Sequence, residues 1–282
     1  MERYFGPCRS VLYIPGSKPR ALEKATSLPA DAIIFDLEDA VSPDEKGSAR
    51  ETLSTALKTS DFGARRRIVR INGFDTIWGA EDLKMLTSTP HDAVLLPKVE
   101  QLQTVERAFG ALGEAAKIWA MMETPRGILN AAGLAQAPGM EGFVMGTNDL
   151  AKELGSRGRA AMLTSLQHCL LAARAEGLIC VDGVYNAFKD EEGLHAECEE
   201  GRDMGFDGKT LIHPAQLAIA NQVFGPSEAE LELAQRQIEA FEQAQAGGQG
   251  VAVVDGKIVE NLHVETAQRL LRQAEVIVQM EA

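Results

Sequence analysis

Eight short apolar runs recur along the chain, and nearly every one stops at a polar or charged residue. They cover residues 10–14, 32–36, 67–71, 93–96, 118–122, 143–145, 178–181 and 208–212. Helical stretches separate most of them, for example residues 44–58, 163–176 and 191–204. Short apolar runs that alternate with helices belong to parallel strands buried on both faces. Eight such units in 282 residues predict an α/β fold of the TIM (β/α)8 type. An open doubly wound sheet is the rival, but no G-x-G-x-x-G follows the first run.

The polar residues that end the runs are the ones with chemistry to offer. Asp36, Glu38, Asp39, Lys98, Glu123, Asn148, Asp149, Asp182 and His213 all fall at or just past a strand, and Arg70 ends its own. In a barrel these ends open onto one face, where active sites lie. Glu123 and Asp149 end neighbouring strands. Two carboxylates so placed make a pair of hard oxygen ligands, open on one side, which suits Mg²⁺. Taken singly, each reads more simply as a helix cap, Glu123 before Thr124-Pro125 and Asp149 before its own helix. The repeated placement favours the metal. Asp36, Glu38 and Asp39 form a further acidic cluster, costly without a cation nearby.

Composition narrows the function. Lys and Arg number 28 against 41 Asp and Glu, a net charge of −13, which offers no broad basic surface for nucleic acid. An anionic substrate then needs a local basic pocket. Cys8, Cys169, Cys180 and Cys198 show no metal spacing and read as buried thiols. Residues 1–10 hold no apolar signal core, and no run reaches the ~18 residues of a membrane span. A soluble protein of a reducing compartment, the cytoplasm, is expected. Arg65-Arg66-Arg67 reads as a solvated loop more readily than as a phosphate site, and His213 as structural rather than acidic.

A barrel domain over residues 1–225 and an extension over residues 226–282 are expected. In the extension, Ser227 caps a helix running to about residue 245, and Gly247, Gly248 and Gly250 make a hinge. Residues 251–254 and 257–259 flank Asp255-Gly256 as a tight hairpin. A last helix covers residues 263–280. Such an appendage reads as a lid, as an arm over a neighbouring subunit, or as a tail packed on its own barrel.

Arg9-Ser-Val-Leu-Tyr-Ile-Pro-Gly16, Phe35-Asp-Leu-Glu-Asp-Ala40, Arg70-Ile-Asn-Gly73, Leu96-Pro-Lys98, Met122-Glu-Thr124, Gly146-Thr-Asn-Asp149 and Gly208-Lys-Thr-Leu-Ile-His-Pro214 together resemble the citrate lyase beta-subunit / malyl-CoA lyase family. The segments 145–155 and 254–263 look closest to its (3S)-malyl-CoA thioesterase branch. The resemblance implies a TIM barrel in homo-trimers or homo-hexamers, one Mg²⁺ per site, and a small acyl-CoA substrate. It assigns Glu123 and Asp149 to the metal, with Glu123 also beside the substrate. It assigns Arg70 to the carboxylate of the small acid and Asp36, Glu38 and Asp39 to the surroundings of the metal waters. Arg9 and Lys18 become candidates for substrate or CoA contact. The family's lyases carry a Met-Ile-Asp segment in the C-terminal arm, where this chain has Ile258-Val259-Glu260. A Glu is one methylene longer, and a base must lie within ~3 Å of its proton or reach it through one water. Glu260, Arg70 and Asp36 are therefore the catalytic candidates, with thioester hydrolysis to malate and CoA expected. Carbon–carbon cleavage of malyl-CoA or methylmalyl-CoA, a citrate lyase beta-like reaction, and a catalytically silent barrel are the alternatives.

Overall fold

The computed structural model describes residues 6–281. The expectation for residues 1–10 therefore falls partly on residues 1–5, outside that range. Eight parallel strands close into a barrel in sequence order. They are β1 (Ser10–Pro15), β2 (Ala32–Asp36), β3 (Arg66–Arg70), β4 (Ala93–Leu96), β5 (Ile118–Met122), β6 (Met140–Met145), β7 (Ile179–Asp182) and β8 (Gly208–Leu211). The fold is the expected TIM-type barrel, and β1 pairs with β8 to close it. Among the described residues no helix is long and apolar enough to cross a membrane.

Strand alternation sorts side chains into the barrel or out toward the helices. Val11, Ala32, Ile34, Ile68, Ala93, Leu95, Trp119, Met121, Val144, Ile179 and Val181 fill the interior, and Tyr13 packs against them. Trp119 is fully buried, and a Cβ at Gly142 on the next strand would lie 2.9 Å from its indole. Continuing the same alternation, Asp36, Arg70 and Glu123 are the next inward positions above Ile34, Ile68 and Met121.

Charged residues within the strands are what blurred the strand limits. β6 starts three residues before the expected 143 because Glu141, only 2% exposed, belongs to the sheet. It pairs with Arg66 across the base of the barrel and accepts the Trp119 indole N–H at 2.9 Å. β7 extends to include Asp182, which sequence alone places at the functional rim. Its side chain instead turns outward and holds Lys209 Nζ at 2.8 Å and Arg159 Nη1 at 2.9 Å. Lys209 also meets Glu197 Oε1 at 2.7 Å, on the helix Glu191–Met204. The helix expected over 44–58 divides into a 3-10 turn, Pro43–Glu45, and a helix, Lys46–Thr59.

Two compact units divide the chain, Met1–Asn221 and Gln222–Ala282, with the boundary inside the helix Leu217–Phe224. The second unit has its own small core. Phe241, Ala252, Val254, Val259 and Val264 pack together between the helices Glu228–Ala246 and Asn261–Glu281 and a hairpin of β9 (Ala252–Val254) and β10 (Lys257–Val259). Asp255 (φ 49°) and Gly256 (φ 74°) make the turn, as a two-residue hairpin with positive φ at both positions requires. Ser227 and Glu230 form a capping box at the start of the first of these helices.

The Lys209 ammonium is fully buried between two carboxylates. Truncating one partner of a buried ion pair strands the other, at about 3–5 kcal/mol. Lys209→Ala should therefore lower the free energy of unfolding, measured by urea titration, by that amount. Arg202→Ala, on the exposed part of the same helix, should cost under about 1 kcal/mol.

Candidate active site

Asp36 and Arg70 are register partners on β2 and β3, so both emerge at the same height of the barrel mouth. Asp36 is 1% exposed and accepts Arg70 Nε and Nη2, each at 2.7 Å. It also accepts the backbone N–H of Glu38 at 2.9 Å and of Ala40 at 3.0 Å. The loop after β2 thus folds around this one carboxylate. Lys46 Nζ fixes the loop from outside by donating to the carbonyls of Leu37 at 2.8 Å and Glu38 at 2.6 Å. The remaining guanidinium nitrogen, Arg70 Nη1, lies 2.8 Å from Glu38 Oε2 and 3.5 Å from Asp39 Oδ2. The first of these is close ion pairing without hydrogen-bond alignment, and Glu38 Oε2 is buried with no hydrogen-bond partner. Arg70 therefore does not present the open fork expected for a substrate carboxylate. Both forked nitrogens are held by Asp36, which acts here as the anchor of the arginine.

Glu123 lies at the end of β5, 2% exposed. It does not cap the following helix. Thr124 does, accepting Gly127 N–H at 3.0 Å at the start of Pro125–Leu129. Glu123 Oε1 accepts the backbone N–H of Lys98 at 2.7 Å. Lys98 adopts φ 48°, an unusual conformation for a residue with a Cβ, as is seen where function over-determines the backbone. The other oxygen rests over Gly146, where a Cβ would come within 2.5 Å of Glu123 Oε2 and 3.0 Å of Met121 Cε. Gly146 leads directly into the helix Thr147–Leu154, whose first turn carries Asp149. Asp149 does not cap that helix either, and among the described residues its carboxylate has no hydrogen bond or ion pair in the structure. The neighbouring Asn148 exchanges amide hydrogen bonds with Asn186 at 2.7 and 3.2 Å, tying this turn to the loop after β7.

The electrostatics report crowding. Burial first, and then the Asp149 charge, push the Glu123 carboxyl up to about 7, against the Lys98 amide and Arg70. Burial likewise raises Glu38 to about 7, with Asp39, Glu123 and Asp36 adding to it while Arg70 opposes. Arg70 is held charged far above any working pH: burial opposes this, but Asp36, Tyr13 and Glu38 outweigh it. Lys98 is burdened by burial, yet Glu38, Asp149, Glu123 and Asp39 raise it. The same carboxylates thus reach one another from three loops. A divalent cation fits this donor set: hard oxygens, an unpartnered Asp149, a buried Glu38 oxygen without a hydrogen bond, and excess negative charge. Among the described residues no group of three or more His, Cys, Asp or Glu side chains forms a closed cage. Mg²⁺ needs none, since it keeps waters and takes only one or two carboxylates beside substrate oxygens.

The other sequence candidates separate by position. Lys18 follows β1 on the same face, is exposed, and lies 3.7 Å from Glu45 Oε1. Arg9 precedes β1 and so sits at the opposite end of the barrel. It is 5% exposed and clamps Asp31 through Nε at 2.9 Å and Nη2 at 2.8 Å. That position removes Arg9 from the substrate face. The Arg65–Arg67 run also lies at that far end, where Arg66 pairs with Glu141, Arg67 with Asp92, and Arg65 donates to the Leu28 carbonyl. It is neither a solvated loop nor a phosphate site. His213 Nδ1 accepts Ala215 N–H at 3.1 Å and its ring stacks on Phe188 at 4.6 Å, a structural placement. Glu260 lies in the second unit, exposed, immediately before the last helix, with its N–H donated to His263 Nδ1 at 3.1 Å. Sequence reading missed Tyr13 and Lys46, and it weighed the Lys98 side chain where the backbone amide is the working group. The left-handed conformation after Leu96-Pro97 leaves no mark in a residue type that seldom adopts it.

A closed parallel barrel with a cluster of acidic groups, one guanidinium and a candidate divalent site at its C-terminal mouth defines the class of α/β-barrel enzymes that build their sites on that rim. Within that class, residues 9–214 match the HpcH/HpaI aldolase/citrate lyase family, and the chain belongs to it. It is 65% identical to a (3S)-malyl-CoA thioesterase of Cereibacter sphaeroides over 98% of each chain. It is 35% identical to the citrate lyase subunit beta of Leuconostoc mesenteroides subsp. cremoris, over 94% of this chain and 93% of that one. Among solved structures, the protein CitE of Mycobacterium tuberculosis in complex with magnesium, acetoacetate and coenzyme A matches with TM-score 0.81 and 31% identity, over 96% and 98% of the two chains.

A carboxyl raised by burial keeps its proton in the folded state across the window from 4.5 to about 7, where the unfolded chain has lost it. Without metal, Glu123 and Glu38 therefore lower stability as pH rises through that window. A cation that needs both ionised should reverse this. Thermal melts should show a larger Mg²⁺-induced rise in Tm at pH 8 than at pH 6, and Glu123→Gln should abolish the difference.

Proposed function

We propose that this chain is a Mg²⁺-dependent enzyme that hydrolyses the thioester of (3S)-malyl-CoA, giving malate and CoA. The observation that carries the reading is the 65% identity, across essentially the whole of both chains, to a (3S)-malyl-CoA thioesterase. The geometry of the mouth supports it. Glu123 and Asp149 are the residues that would hold the ion, with Asp36, Glu38 and Asp39 around its waters. When bound, Mg²⁺ supplies Lewis-acid polarisation of the substrate's carboxylate and hydroxyl oxygens. Arg70, pinned by Asp36, supplies a fixed positive charge at the mouth, and preorganised charge costs no rearrangement as negative charge develops. Its Nη1, paired with Glu38 without alignment, is the guanidinium nitrogen best placed to turn to a substrate oxygen. Lys18, exposed on the same face, is assigned to an anionic part of CoA. Glu260 is assigned to activate the hydrolytic water at the thioester carbonyl, in its own or a neighbouring subunit.

The expected assembly is a homo-trimer or homo-hexamer, with the Gln222–Ala282 unit as its lid or arm. Four buried free cysteines support a cytoplasmic location. The second reading is carbon–carbon cleavage to acetyl-CoA and glyoxylate, which the citrate lyase beta relative favours.

A product assay separates the two. With (3S)-malyl-CoA and Mg²⁺, free thiol and malate should appear together without glyoxylate, and EDTA should stop the reaction. Glyoxylate released in step with loss of malyl-CoA overturns hydrolysis. Glu260→Asp should lower hydrolysis at least tenfold while leaving the Mg²⁺ effect on Tm intact; unchanged hydrolysis removes Glu260 from the mechanism.

A further inference from the structure

Tyr13 lies inside the barrel at the level of the site. It points into the barrel from β1, packs on the apolar core beneath, and keeps partial access to solvent. Its phenol crosses to the far wall, donating to Met121 Sδ on β5 at 3.4 Å. Strands β1 and β5 are four places apart in a ring of eight, so this side chain bridges the mouth. Met121 is the inward position directly below Glu123, and the Arg70 guanidinium lies 5.0 Å from the Tyr13 ring centre. Tyr13 thus forms the floor under the metal-side carboxylate and the arginine.

Two facts make that floor chemical. A thioether is a weak acceptor, whereas a buried phenol ordinarily finds a strong one. The strong acceptor nearest the guanidinium, Asp36, is already saturated by two N–H groups of Arg70 and two backbone amides. The hydroxyl is therefore a neutral donor held in reserve. The substrate's geometry decides what reaches it. An eight-stranded barrel has an interior only wide enough for side chains, so the CoA portion stays outside and the short acyl end leads. In a four-carbon 3-hydroxydiacyl thioester the leading group is the free carboxylate. Beside the metal that would polarise it, Arg70 is shared with Asp36 and Glu38, and Lys98 Nζ lies 4.0 Å from Glu38, which leaves that carboxylate room for a neutral donor as well.

We propose that Tyr13 is a specificity-determining residue, whose O–H leaves the Met121 sulfur to donate to the free carboxylate of a short diacyl thioester. This rests on the reading of the chain as an acyl-CoA enzyme. It goes further by saying which residue tells a diacid from a monoacid. Rejection of an acyl group lacking the carboxylate follows, because that group leaves the donor only its thioether.

The test compares succinyl-CoA with butyryl-CoA as competitive inhibitors of (3S)-malyl-CoA turnover by the full chain with Mg²⁺. The two probes have the same length and differ in a terminal carboxylate against a methyl. Wild type should prefer succinyl-CoA, and Tyr13→Phe should cut that preference about tenfold or more, the size of a lost hydrogen bond to a charged group. Its Mg²⁺-induced rise in Tm should stay unchanged. Met121→Leu, which removes only the competing acceptor, should keep or raise the preference. A preference unaltered within twofold in Tyr13→Phe, both inhibitors weakened equally, or a loss in Met121→Leu as large as in Tyr13→Phe would overturn the assignment. Absence of any wild-type turnover of (3S)-malyl-CoA would instead overturn the parent reading.

Discussion

The mouth of this barrel depends on the ion pair between Asp36 and Arg70. Each closes the other's needs, since the carboxylate takes both forked nitrogens and two loop amides. That contact gathers the β2 loop over the barrel and fixes where Glu38 and Asp39 lie. Around it, Glu123 and Asp149 bring further negative charge than Arg70 and Lys98 can neutralise. The imbalance is why the site reads as built for a cation rather than as a structural salt bridge.

The opposite end of the barrel shows what a purely structural use of charge looks like. Arg9 with Asp31, and Arg66 with Glu141 under Trp119, are paired without surplus. On the outer wall, Lys209 sits between Asp182 and Glu197. These groups carry as much charge as the mouth does. They differ in that each carboxylate is held by at least one cation, and none is left unpartnered as Asp149 is.

Much of the mouth was legible in the chain. Each carboxylate that follows a strand was marked by the apolar run before it, and the order of motifs pointed to the family. Asp182 misled because its place after a strand is right while its side chain faces outward, and a run of four residues does not fix which face is which. Arg9 misled because a motif groups residues by sequence, whereas the two ends of one strand lie on opposite faces of the barrel. Tyr13 carried no signal beyond being an aromatic in a strand.

The sequence by itself determined the eight strands, their alternation with helices, and hence the rim on which Asp36, Arg70, Glu123 and Asp149 emerge. These follow from local periodicity, which needs no knowledge of neighbours. Only the tertiary structure decided that Arg70 is held by Asp36, that the Lys98 amide and not its ammonium meets Glu123, and that Tyr13 spans the mouth from β1 to β5. Those are relations between strands, set by register and closure of the barrel, and no stretch of chain contains both partners.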